Sequence, residues 1–311
     1  MPALVLALNP SIDAEWRVDE VRWQEKNIVQ GERRWAGGKG VNVARWLQHL
    51  GDRPHLLIAL GGATGNELAR QLRAERIKAK IITLREATRV NVIVTTDQGR
   101  QLRFNPQGPK LSTIECRTIF EETRKQLLSA SCLILSGSLP RSASVQTYAR
   151  LTRLARLSGC KPLLDCDGAS FAAAIGAQPF LVKPNDHELE QWHGRILASE
   201  RAIVRAAKAL STATGGWVLV SRGERGAILV NEREAAGFTA HVPVGQAVNT
   251  VGAGDAMFAA VARQIERNAP PQEWLRWGVA TGTSATRCEA GELPRLSLIT
   301  RLARNIAIRE I

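Results

Sequence analysis

Cysteine is scarce and scattered. The five in the chain (Cys116, Cys132, Cys160, Cys166, Cys288) form no Cys-x-x-Cys pair and no zinc-ligand spacing. Neither a disulfide framework nor a structural zinc site is expected, and the thiols read as reduced, in a cytoplasmic protein. No apolar run approaches the roughly 20 residues of a membrane span. The Leu4 to Leu8 run is too short, and lacks the cationic start, for a targeting segment. Repeats, low-complexity tracts and long linkers are missing too, so 311 residues with 44% hydrophobic and 23% charged content fit a single globular domain spanning 1–311. Acidic residues are the minority charge, with Asp+Glu 29 against Lys+Arg 42 and a net +13, which suggests an anionic partner. The arginines are spread along the chain with no aromatic-interleaved basic block, which argues against nucleic acid. A small phosphorylated ligand would use about two or three of those charges.

What the chain does contain is a regular alternation. Ala3 to Leu8 is a continuous apolar run, as expected of a strand buried on both faces. Leu56 to Leu60, Cys132 to Leu135, Pro162 to Asp165, Phe180 to Val182 and Trp217 to Val220 repeat that character. Helical spacing separates them, as in Val43, Leu47 and Leu50 or Ile203, Ala207 and Leu210. Strands separated by helices predict a doubly wound α/β fold with a mainly parallel sheet flanked by helices. Two stretches break the pattern. Residues 13–36 and 88–105 carry short, partly exposed strands, the second with a hairpin signature at Asp97-Gln98-Gly99-Arg100. They predict a small β-sheet lid built from two insertions.

Polar and glycine clusters fall at the carboxyl ends of the strands, where open α/β sheets bind ligands. Asn9-Pro10-Ser11-Ile12-Asp13 follows the first strand, and Asp13 reads either as a substrate contact or as an ordinary turn aspartate. Ala36-Gly37-Gly38-Lys39-Gly40-Val41-Asn42 leads into a helix without the spacing of a Walker A loop. Asn249-Thr250-Val251-Gly252-Ala253-Gly254-Asp255 is a glycine turn running into a helix that begins at or near Asp255, and a helix start suits an anion. Asp255 is then either an N-cap or a general base. Asn185 and Glu188, after Lys183-Pro184, read as metal support or as a solvated helix start. One sheet edge thus collects what phosphoryl transfer needs: dipolar and cationic groups, a metal site and a base.

These three elements, Gly252-Ala253-Gly254-Asp255, Gly37-Gly38-Lys39-Gly40-Val41-Asn42 and Lys183-Pro184-Asn185-Asp186-His187-Glu188, together resemble the PfkB (ribokinase-like) carbohydrate kinases over nearly the whole chain. The resemblance implies that Asp255 is the base and that the N–H groups of Gly252, Ala253, Gly254 and Asp255 form an anion hole. It implies that Asn185 and Glu188 act on Mg²⁺ through water. It places Lys183, Asn185, Gly254 and the run Ser221, Arg222, Gly223, Glu224, Arg225 and Gly226 on the nucleotide side. ATP and Mg²⁺ are the implied cofactors, and a monovalent cation near the 250 and 285 to 291 segments is left open.

Leu8 to Asp13, Thr88 to Asn91 and Ser136-Gly137-Ser138-Leu139-Pro140 resemble the phosphosugar branch of that family. There Asp13, Gly38 and Asn42 would hold sugar hydroxyls, Lys39, Arg89 and Arg103 would face the sugar's phosphate, and Ser138 would touch the substrate. The implied reaction is phosphorylation of a ketohexose monophosphate, fructose 1-phosphate first, with tagatose 6-phosphate or fructose 6-phosphate as alternatives, then an unphosphorylated sugar or a nucleoside. Exposed Trp16 and Trp23 on the lid suggest a homodimer through it. No nucleic acid or membrane partner is expected.

Overall fold

A computed structural model describes residues 1–242 and 247–311. The chain opens with β1 (Leu4–Ala7), buried along its length, then leaves the core for β2 (Ser11–Val18) and β3 (Gly31–Gly37). Helix α1 (Lys39–His49) returns it to β4 (His55–Gly61), α2 (Gly62–Ala74) and β5 (Ala79–Leu84). A second excursion forms β6 (Arg89–Thr96) and β7 (Gln101–Phe104). Regular alternation follows, with α3 (Thr113–Leu127), β8 (Cys132–Ser136), α4 (Thr147–Leu157), β9 (Lys161–Asp165), α5 (Gly168–Ile175) and β10 (Leu181–Val182). Next come α6 (Asp186–His193), α7 (Glu200–Thr214) and β11 (Trp217–Ser221). The chain ends with β12 (Ala227–Asn231), β13 (Ala236–Ala240), α8 (Ala253–Glu266), α9 (Pro271–Ala285), α10 (Leu296–Asn305) and β14 (Ile308–Glu310).

The ten core strands lie in the order β14-β13-β12-β11-β10-β9-β8-β1-β4-β5. From β5 to β11 every pair is parallel, and β12, β13 and β14 continue the sheet antiparallel. Alternate residues of one strand serve opposite layers. Leu133 and Leu135 pack with Leu151 of α4, whereas Ile134 packs on the other face with Leu47 of α1 and Phe258 of α8. At about 1.5–3 kcal/mol for each fully buried aliphatic side chain, these two layers supply the main stabilisation.

The lid is a separate four-stranded sheet in the order β3-β2-β6-β7. Its central pair, β2 and β6, is parallel and runs from Ser11↔Arg89 to Val18↔Thr96. Because β2 directly follows β1, the lid is anchored at the carboxyl end of the core strand where the sheet order reverses. Strand β4 lies on one side of β1 and β8 on the other, and such a switch point opens a crevice for ligands. No helix among the described residues is long and apolar enough to cross a membrane.

Candidate active site

Two helix starts converge on the crevice. Helix α8 is capped by Gly252, whose φ of 80° is left-handed and suits glycine. Its first turn bonds through the Ala256 N–H to the Gly252 carbonyl at 2.9 Å, and the Ala253 N–H donates to the Thr250 carbonyl at 3.4 Å. The Gly254 and Asp255 N–H groups have no backbone acceptor among the described residues and can meet an anion. Asp255 stands third in this helix and caps nothing. Its carboxylate is buried, at 6% exposure, and Oδ2 accepts a hydrogen bond from Asn42 Nδ2 of α1 at 2.8 Å. The N-cap alternative for Asp255 is therefore not what the structure has. Burial, with help from the Asp165 carboxylate, raises its pKa from 3.8 to about 6, against the opposing pull of Asn42, Lys39 and Lys183.

Asp165, which no motif flagged, is the buried centre of an ion triad at the end of β9. It is 1% exposed, with Lys39 Nζ at 3.0 Å from Oδ1 and Lys183 Nζ at 3.3 Å from Oδ2. Burial works to raise its pKa, but the two ammonium groups outweigh it and hold the carboxyl below the usual range. Lys39 is held well above the ordinary lysine value, chiefly by Asp165, with Asp255 and Glu188 adding to the effect. The one sequence signal was its place at the carboxyl end of a buried strand, followed by Cys166-Asp167-Gly168.

Between the lid and the start of α1, a cavity of about 260 Å³ is lined by Asn9, Gly38, Lys39, Arg89, Asn91 and Ser138 among others. Arg89, at the foot of β6, donates from Nη2 to the Asn9 carbonyl at 3.0 Å and from Nη1 to the Pro106 carbonyl at 2.8 Å. No carboxylate pairs with it among the described residues, and burial lowers its pKa, with Asp13 opposing. Asn9 Nδ2 donates to Ser138 Oγ at 3.0 Å, which joins the ends of β1 and β8. Asp13 and Asn42 line a smaller cleft beside Gly252. Asp13 Oδ1 accepts from Ser11 Oγ at 2.7 Å and Asn91 Nδ2 at 2.9 Å; burial still raises its pKa. A Cβ on Gly37 would lie 2.2 Å from that carboxylate, so the close approach requires glycine.

Arg103 lies apart. The register pairs it with Ile93 on the edge strand β7, which puts it on the same lid face as Asp13 and Asn91. Its guanidinium is exposed and donates to Gln101 Oε1 at 2.7 Å, away from the cavity.

On the far side of the α8 start, a cavity of about 660 Å³ is lined by Ser221, Gly223, Glu224, Gly226, Gly254 and Thr283, with Met257 and Val279 as apolar wall. Arg222 and Arg225 belong to the same run but point elsewhere. Arg222 is buried on Glu200 at 2.6 Å, and Arg225 pairs with Asp186 at 2.6 Å. Lys183 sits between the cavities, 3.5 Å from where a Cβ on Gly254 would stand.

Asn185 and Glu188 form a capping box at the start of α6, each bonding the other's backbone N–H at 2.8 Å. That uses one oxygen of each side chain and leaves Glu188 with its second oxygen free. No cluster of three or more His, Cys, Asp or Glu able to hold a metal directly occurs among the described residues. This donor set fits Mg²⁺ kept mostly by water and phosphate rather than by a protein cage. The 250 and 285 to 291 segments are neighbours, with the Val248 N–H donating to the Thr286 carbonyl at 2.8 Å.

A doubly wound sheet with a β lid, and a buried carboxylate beside a helix start between two cavities, define a small-molecule phosphotransferase. Residues 7–295 match the pfkB family of carbohydrate kinases, and the chain belongs to that family, as an ATP-dependent phosphotransferase. It is 31% identical over 284 residues to a 1-phosphofructokinase of Bacillus subtilis (strain 168), covering 91% of this chain and 92% of that protein. It is 29% identical to a tagatose-6-phosphate kinase of Staphylococcus epidermidis, covering 90% of each. Among solved structures, phosphofructokinase-2 from Escherichia coli in complex with potassium superposes with a TM-score of 0.90 at 29% identity, covering 97% of this chain and 98% of that one.

Proposed function

We propose that the protein transfers the γ-phosphoryl group of ATP to the free hydroxymethyl group of a ketohexose monophosphate, with fructose 1-phosphate giving fructose 1,6-bisphosphate. The observation that carries this reading is the cationic cavity of Arg89 and Lys39, opening beside the buried Asp255 carboxylate. A guanidinium without a carboxylate partner suits a phosphate dianion better than a neutral sugar hydroxyl. The relatives named above act on phosphosugars by name, which supports the same class of acceptor.

In this mechanism Asp13 and Asn42 orient the sugar hydroxyls while Arg89, with Lys39, holds the phosphate already present. Asp255 accepts the proton of the attacking hydroxyl, a task matched to a pKa near 6 at neutral pH. The Gly254 and Asp255 N–H groups at the start of α8 and the Lys183 ammonium face the charge that develops on the transferred phosphoryl. Mg²⁺, when bound through water near Asn185 and Glu188, would add charge neutralisation on the phosphate oxygens. ATP occupies the larger cavity, and potassium in the structural relative supports a monovalent-cation site near the 250 segment.

The lid exposes Trp23 at 78%, Ile28 at 69% and Phe104 at 53%, and β3 and β7 are unpaired edges. A homodimer through the lid would cover them. Arg103 would then meet the partner's side of the cleft.

Coupled measurement of ADP release tests the substrate. The reading expects the highest kcat/KM with fructose 1-phosphate, compared with fructose 6-phosphate, tagatose 6-phosphate and ribose. A preference for ribose would overturn the phosphosugar class, and a preference for another hexose monophosphate would overturn only the member.

A further inference from the structure

Behind Asn42, the hydrogen-bond donor to the base, sits a charged side chain that no motif singled out. Arg45, on α1, is only 9% exposed. It donates from Nε to Glu75 Oε2 at 2.7 Å and from Nη2 to Glu75 Oε1 at 2.9 Å. Nη2 also reaches the Ala36 carbonyl at 2.9 Å. These bonds satisfy a buried guanidinium and tie α1 to the end of α2, which is all that a structural role would need. One further N–H is used differently. Nη1 donates to Asn42 Oδ1 at 3.3 Å, and Asn42 Nδ2 donates to Asp255 Oδ2 at 2.8 Å.

A side-chain amide has two ends of nearly the same shape, one that donates and one that accepts. Arg45 can only donate. Holding the amide oxygen therefore turns the NH₂ towards Asp255. With the opposite orientation, oxygen would face carboxylate. Arg45 also lines the small cleft that contains Asp13, Asn42 and Gly252, and its charge favours the ionised form of Asp13. One guanidinium thus stands behind both groups assigned to the sugar hydroxyls.

We propose that Arg45, held by Glu75, is a positioning residue that fixes the Asn42 amide so that its NH₂ faces the Asp255 carboxylate. The proposal rests on Asp255 being the base. The charged groups facing Asp255 from the packed elements are Asp165 at the end of β9, Lys39 of α1 and Lys183 after β10. Arg45 bonds none of them, so its replacement leaves them in place.

The test compares Arg45→Met, Asn42→Ala and the double variant across pH, with ATP and the best hexose monophosphate. A hydrogen bond to a charged group is worth enough to expect about a tenfold fall in kcat for Arg45→Met. KM for ATP should stay as in the wild type. The acid limb of kcat/KM should move up by about half a pH unit to one, because Asp255 loses a donor to its ionised form. The double variant should be no slower than Asn42→Ala alone. An unmoved limb, or losses that multiply, would overturn the proposal. If Arg45→Met does not fold, Glu75→Gln faces the same criteria with a smaller shift. A ¹³C titration of the Asp255 carboxyl in ligand-free Arg45→Met separates the two readings. A raised midpoint upholds the positioning role even if Asp255→Asn were to retain turnover and the base assignment fell.

Discussion

Asn42 Nδ2 stands 2.8 Å from Asp255 Oδ2 and is the direct hydrogen bond between the starts of α1 and α8. The bond crosses 213 residues of sequence and joins the two glycine-led helices on which the reaction would run. It favours the ionised carboxylate, yet burial, with Asp165, still leaves the pKa near 6.

The acid limb of activity follows from that value. Asp255 must be ionised to accept a proton, so kcat/KM should fall as pH drops below about 6. A pH–rate profile with a limb near the ordinary aspartate value of 3.8 would contradict the desolvated site.

The same burial works against stability. A folded pKa of about 6 against 3.8 unfolded means that ionised Asp255 destabilises the fold by roughly 3 kcal/mol above pH 6, a cost that disappears below about pH 4. Asp255→Asn should therefore raise the midpoint of urea unfolding at pH 8, with the gain shrinking steadily between pH 6 and pH 4. A pH-independent effect would refute the linkage.

Asp165 behaves in the opposite sense. Its pKa is lowered by Lys39 and Lys183, so its contribution is present above the ordinary carboxylate range and is lost as pH falls below it. Asp165→Asn leaves the buried Lys183 and the half-buried Lys39 without their shared counter-charge and should cost about 3 kcal/mol at neutral pH. It should also move the acid limb of activity down, since Asp165 is one of the groups that raises Asp255. Urea unfolding and the pH–rate profile check the two effects separately.

Arg89→Ala should raise KM for hexose monophosphates by about tenfold or more, the effect of losing one charge-assisted contact, and change KM for ATP little. An equal rise for unphosphorylated sugars would assign Arg89 to the sugar ring instead.

How much of this the sequence shows depends on whether the signal is local. The parallel strands were legible from apolar runs, and the lid from the two stretches, 13–36 and 88–105, that break the α/β period. The antiparallel extension β12 to β14 was not read from the sequence, and its last strand, β14, carries little local signal because it has three residues and pairs with β13 across α8, α9 and α10. The glycine runs marked both sides of the α8 start, but not which neighbouring side chains face the cavities. Arg222 and Arg225 sit in the run that the resemblance places on the nucleotide side, yet ion pairs with Glu200 and Asp186 turn them away from the cavity. Asp165 is the reverse case. It lies in no glycine motif, and its importance appears only when Lys39 and Lys183, from two other elements, close on it.

The lid makes a separate prediction. Sedimentation equilibrium should show a dimer that Trp23→Glu weakens, because a charge placed at 78% exposed apolar surface disrupts association without touching the core. A monomer at all concentrations would remove the lid interface and leave Arg103 without a role.

The most direct test of the central claim is the turnover of Asp255→Asn with ATP and fructose 1-phosphate. A positioned base contributes about 10²–10⁴ in rate, so kcat should fall by that factor while calorimetry still detects both ligands binding. Turnover within a few-fold of the wild type would show that Asp255 is not the base.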